Sequence, residues 1–211
     1  MASRTQRFKG THLFTNQPGG TDNQWQLPTE TRAVRAENQA ALLRRWEIAR
    51  VLDDTDPRIV SRWFPGQRDL LERLSVYTED EVKAAADCLC PLFTIALLEG
   101  HPAPGSKPFA TVDPYELANR EEVFMALCVR LDAIRTDMEK GCILHDLTAS
   151  EAGTLSSSTP HQLKDLAASP GMSLNLSASD QYFSAVLAGN MTVGERTRLA
   201  FMSKKGRANF R

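Results

Sequence analysis

The chain has 211 residues, with 25 Lys+Arg against 26 Asp+Glu for a formal net charge of −1, 42% hydrophobic and 7% aromatic residues. This is apolar content for one ordinary core or two small ones, and the overall charge names no partner. The charge is nevertheless blocked: residues 1–50 carry +4, 51–120 carry −5, 121–189 carry −5 and 190–211 carry +5, so basic ends flank an acidic middle.

Residues 1–30, with Gly19-Gly20, Pro18 and Pro28, show no sustained period and read as a flexible basic arm. From Thr31 to about Leu52 the apolar positions Val34, Ala41, Leu42, Trp46, Ala49 and Leu52 recur at helical spacing, which predicts a helix with one buried stripe. Asp53-Asp54-Thr55-Asp56-Pro57 ends it, because proline disfavours a helical residue before it. A short helix from about Pro57 to Phe64, a Pro65-Gly66 turn and a helix from Gln67 to Leu74 follow. Thr78-Glu79-Asp80-Glu81 is a capping box that opens a helix through Asp87, and Pro91 to Leu98 reads as a short strand.

Residues 99–114 hold Pro102, Pro104, Pro108 and Pro114 and read as a linker. Tyr115 to Lys140 resumes a long helical period, with Gly141 as its stop. Short helices are predicted from Thr148 to Leu155 and from Thr159 to Ala168, the latter with proline at its first position. Met172 to Leu176 alternates as a strand; helices from Asp180 to Ala188 and from Gly194 to Met202 precede a basic tail.

The two halves align at an offset of 81. Leu74, Ser75, Thr78, Glu81, Val82, Lys83, Ala86, Phe93 and Ile95 fall on Leu155, Ser156, Thr159, Gln162, Leu163, Lys164, Ala167, Leu174 and Leu176. Caps, buried helix positions and strand come into register together, and the helix of 31–52 falls on the helix 115–140. The expected architecture is mainly α: two tandem helical units, 31–98 and 115–189, each ending in a short β-strand, in a pseudo-dimeric arrangement, with the basic tail at 190–211.

Val123 to Asp137, Cys142 to Thr148, Leu155-Ser156, Thr159 to Ala167 and Met172 to Leu176 in the second half, and Leu71 to Ser75, Thr78 to Ala86 and Leu92 to Leu97 in the first, carry a likeness to a known family. With these residues the unit resembles the FlhD family of bacterial transcriptional regulators. The resemblance covers a little over half the chain. It implies a helical protein that acts with an FlhC-like partner on double-stranded promoter DNA and helps recruit RNA polymerase to flagellar or mobile-element transfer genes, as a hetero- or homo-oligomer. Family members are single units that dimerise, so this chain looks like a fused pseudo-dimer, and its basic arm is an addition.

The basic ends are the candidate DNA contacts: Arg4, Arg7 and Lys9 on the arm, and Arg196, Arg198, Lys204, Lys205, Arg207 and Arg211 at the other end. Arginine supplies 18 of the 25 basic residues, and its planar fork suits phosphate and guanine. Trp46, Trp63, Phe93, Ile95, Leu174 and Leu176 are the candidate partner or dimer interface. The rival reading is a protein-interaction adaptor, phage- or plasmid-borne, that touches no nucleic acid.

Three other chemistries fare badly. Cys88, Cys90, Cys142 and His145 offer zinc-type ligands at unfavourable spacing, and free buried cysteine is the commoner case. No metal or cofactor is expected. The histidines are scattered and no phosphate loop or nucleophile elbow occurs, so no enzyme is expected. The longest apolar stretch, Leu89 to Leu98, falls short of the roughly 20 residues a membrane span needs. The N-terminus lacks the apolar run of a signal peptide, and four cysteines suit a reducing compartment, so a cytoplasmic location is expected.

Overall fold

The computed structural model describes residues 29–51, 57–95, 113–169 and 171–205. The expected arm contacts Arg4, Arg7 and Lys9, most of the linker, and Arg207 and Arg211 lie outside the described residues. The fold is mainly α. Its first run is α1 (Thr29–Arg50), α2 (Pro57–Trp63), α3 (Arg68–Leu74), α4 (Glu79–Ala86) and β1 (Phe93–Ile95). The second is α5 (Pro114–Thr136), α6 (Met138–His145), α7 (Ala149–Ser157), α8 (Pro160–Ala167) and β2 (Leu174–Leu176), after which α9 (Asp180–Ala188) and α10 (Val193–Met202) complete the order.

Four helices and a strand thus occur twice, but not at one offset. The elements from α2 to β1 correspond to those from α6 to β2 at about 81, whereas α1 and α5 begin 85 residues apart. At 85 a denser pattern aligns: Arg35-x-Glu37, Ala41-Leu42 and Arg45 in α1 repeat as Arg120-x-Glu122, Ala126-Leu127 and Arg130 in α5. The single register of 81 is therefore corrected for the long helices; the longer α1–α2 connection absorbs the difference.

The helix expected over 115–140 is two helices. Asp137 is extended (φ −155°, ψ 106°), and its carboxylate accepts the Lys140 N–H at 3.0 Å, which ends α5 and caps α6 in one residue. Gly141, expected as a stop, lies inside α6. A Cβ there would sit 2.8 Å from the Ile134 nitrogen, so this glycine permits α6 to press on the α5 backbone. Capping boxes open α4, α7, α8 and α10 through Thr78/Glu81, Thr148/Glu151, Thr159/Gln162 and Thr192/Glu195, each threonine contributing about 1 kcal/mol.

The two strands pair antiparallel in the middle of the core, Phe93 opposite Leu176, Thr94 opposite Asn175 and Ile95 opposite Leu174. Thr94 and Asn175 are equivalents at offset 81, so the pairing sets the middle residue of each strand opposite its counterpart. Phe93, Ile95, Leu174 and Leu176 are all buried there among Leu42, Leu71, Val82, Val123, Leu127 and Leu163. Of the partner or dimer interface expected at these residues, the contact the fold shows is between the two halves of this chain. Trp63 is likewise core, and half-buried Trp46 donates its indole N–H to the Tyr77 carbonyl at 2.8 Å.

Residues 190–205 are not a loose tail. Tyr182 of α9 donates to the Ala85 carbonyl at 2.7 Å, the Leu89 N–H donates to the Thr197 hydroxyl at 2.9 Å, and Ala178 bridges Lys204. The last two helices are thereby fastened to α4 and the segment that follows it.

A candidate partner-binding groove between the long helices

Helices α1 and α5 run antiparallel, and buried ion pairs lock them. Arg45 and Arg130, both fully buried, occupy the same place in their helices. The Arg45 guanidinium reaches Glu122 at 2.8 Å, the Ala41 carbonyl at 2.8 Å and the Leu174 carbonyl at 3.1 Å. Arg130 repeats this with Glu37 at 3.0 Å, the Ala126 carbonyl at 2.8 Å and the Phe93 carbonyl at 3.2 Å. Each long helix thus clasps the other and also caps a main-chain acceptor of the opposite half's strand. Buried charges cost several kcal/mol each in desolvation, which pairing with a carboxylate and two carbonyls offsets. Burial pushes the Glu37 carboxyl up, against the pull of Arg130.

The halves differ around these arginines. Gln67 accepts from the Arg45 Nε–H at 2.5 Å and donates to the Leu174 carbonyl at 2.9 Å. Its equivalent at offset 81 is Thr148, which is occupied as the cap of α7, and Arg130 Nε has no partner among the described residues. Phe64 lies 5.4 Å from the Arg45 guanidinium; its equivalent is His145, a buried ring with neither nitrogen hydrogen-bonded among the described residues. Burial, and then the charges of Arg130 and Lys204, push the His145 imidazole down to about 2, so it is neutral.

Above the clasp the seam opens into a groove of about 730 Å³. Its walls are Ala33, Ala36, Ala40, Ala41 and Ile48 of α1 and Ala118, Met125, Ala126 and Val129 of α5, with Tyr115 at one end. Small side chains at the crossing keep it wide and leave Met125 58% exposed. Of its charged lining, Glu37 and Glu122 are held by Arg130, Arg44 and Arg45, while Glu47 and Glu121 are exposed and make no ion pair among the described residues. Arg44, the one cation of the lining among the described residues, bonds Glu122 at 2.8 Å and the Ala118 carbonyl at 3.1 Å.

The expected DNA contacts are dispersed. Arg196 is turned inward, donating to the Asp87 carbonyl at 2.9 Å and the Met191 carbonyl at 2.7 Å, with its second nitrogen 3.4 Å from the Asp87 carboxylate. Lys205 faces Asp180 at 3.7 Å, and Lys204 donates to the Leu144 carbonyl at 3.4 Å. Arg198 is exposed. Cys88 and Cys90 pack beside Asn38, and burial raises both thiols, Cys88 to about 11; no three metal-ligating side chains converge among the described residues. The residues missed from sequence are Glu37, Arg45, Glu122 and Arg130, which look like surface charges until the repeat is taken at 85.

No family model matches this chain, and neither a curated protein nor a solved structure matches it.

Proposed function

We propose that the chain is a non-enzymatic regulatory protein, two FlhD-like units fused into one, that works by holding a protein partner of the FlhC-like kind in the groove between α1 and α5. The groove carries this reading. It is an apolar trough open to solvent, its deeper charges already neutralised by one another, and it leaves Met125, Ala36 and Ala40 exposed. A site for chemistry would instead present convergent polar groups with unspent valences. DNA contact in this reading falls to Arg198 and to the basic residues outside the described structure, in the cytoplasm of a bacterium, with RNA polymerase as the ultimate target.

A second reading is favoured by Arg196, Lys204 and Lys205, which are engaged within the fold: an adaptor that binds protein only. Two measurements separate them. Co-expression with an FlhC-like protein is expected to give a complex on gel filtration, and the complex is expected to retard duplex promoter DNA, with affinity falling steeply between low and moderate salt. A complex that ignores DNA leaves the adaptor; no complex at all overturns the regulator reading.

A further inference from the structure

We infer that the groove receives a basic amphipathic α-helix, presented by another protein and laid along the α1–α5 seam. This deepens the partner-binding reading and rests on it. Shape comes first. From Ala33 to Ile48 the groove follows 16 residues of α1, which at a rise of 1.5 Å per residue is about 22 Å, or four helical turns. The alanine walls admit a third helix at the close spacing that small residues allow, with Met125, Ile48 and Tyr115 as pliable contacts for its apolar face.

Charge selects the occupant. Glu47 and Glu121 are the exposed, unpaired charges of the lining, and both are carboxylates. They would meet lysine or arginine flanking the apolar stripe of an incoming helix. A second copy docked groove to groove in the parallel sense would instead bring these carboxylates against their own kind, which disfavours that docking. The main-chain groups of α1 and α5 are satisfied within their helices, so there is no free edge to hold an extended peptide by backbone pairing.

The test uses the full-length protein and three synthetic 16-residue helices that share one Leu/Ala face and carry Lys, Gln or Glu along its edges, with binding read by fluorescence anisotropy. The Lys helix is expected to bind tightest, roughly ten-fold above the Glu helix, and Glu47→Lys with Glu121→Lys is expected to reverse the order. Ala36→Trp with Ala40→Trp, at two exposed positions, is expected to abolish all three while leaving the thermal melt unchanged. Equal affinities, an order indifferent to the charge reversal, or no saturable binding overturns the inference. So does binding that emerges only when residues 1–28 are removed, which assigns the groove to the chain's own arm. Self-association lost in Ala40→Trp overturns it in favour of a second copy. If an FlhC-like complex forms equally with the Trp variant while the helices fail, the groove assignment alone falls. If the helices behave as expected and no FlhC-like complex forms, the regulator reading falls and the groove's preference stands.

Discussion

Replacing His145 by phenylalanine is expected to remove a pH dependence of stability carried by this one ring. In the unfolded chain the imidazole titrates near 6.5; in the fold, burial and then Arg130 and Lys204 push it down to about 2. Between these values the unfolded chain holds a proton that the native chain refuses. The contribution is therefore complete above about pH 6.5 and is lost as pH falls, at about 1.4 kcal/mol per unit. From pH 6.5 to 5 the loss is about 2 kcal/mol, and any native value below about 4 gives the same figure over that interval. Glu37, raised by burial, acts in the opposite sense above its ordinary 4.5, but it is common to both proteins and cancels in their difference. Removing two buried, unpartnered nitrogens should also raise stability at neutral pH by about 1–3 kcal/mol, and the equivalent place in the first half already holds Phe64. Urea unfolding followed by circular dichroism from about pH 5 to pH 7.5 measures both effects. A His145→Phe protein with the wild-type pH slope, or one less stable than wild type at neutral pH, refutes the reasoning.

Three further outcomes follow from the packing. Gly141→Ala should cost about 2–4 kcal/mol, because its Cβ meets α5 backbone that cannot yield, whereas Gly153→Ala in α7 meets nothing within 4 Å and should gain about 0.5–1 kcal/mol; thermal melts of the pair decide it. Asn38→Leu should cost about 2–4 kcal/mol, since the Asn38 side chain donates to the Cys90 carbonyl at 2.9 Å and accepts from the Leu92 N–H at 2.9 Å. Arg130→Met should cost about 3–5 kcal/mol by stranding Glu37, and adding Glu37→Gln should recover a large part of it; equal stability of the single and double variants would remove the clasp from the account.

Much of the fold was legible in the sequence for definite reasons. The capping boxes at Thr78 and Thr159 are local chemistry, set by residues three apart, and both helices begin where that spacing places them. The strands were legible because alternation and the repeat agreed, and their partner was the other half's strand. The break at Asp137 was hidden because apolar periodicity runs through it: α6 continues the pattern while changing direction, and Gly141 has a packing role that looks the same in sequence as a stop signal. The clasp was hidden for a different reason. A stripe drawn from apolar residues passes over arginine, and so over Arg45 and Arg130, although both sit at stripe positions, four residues after Ala41 and Ala126. The groove needed tertiary structure, because alanines in two distant helices signal nothing until the helices are brought together.

Site-specific photo-crosslinking tests the groove most directly. A benzophenone placed at Ala40, in the groove wall, and another at exposed Thr154 of α7 are compared in cells expressing the full-length protein. The Ala40 probe is expected to trap a partner whose crosslinked segment, sequenced by mass spectrometry, has apolar residues at i, i+3 and i+4 between lysines or arginines, and the Thr154 probe is expected to trap none. A partner captured from Thr154 and not from Ala40, or a segment at Ala40 with acidic flanks, would contradict it.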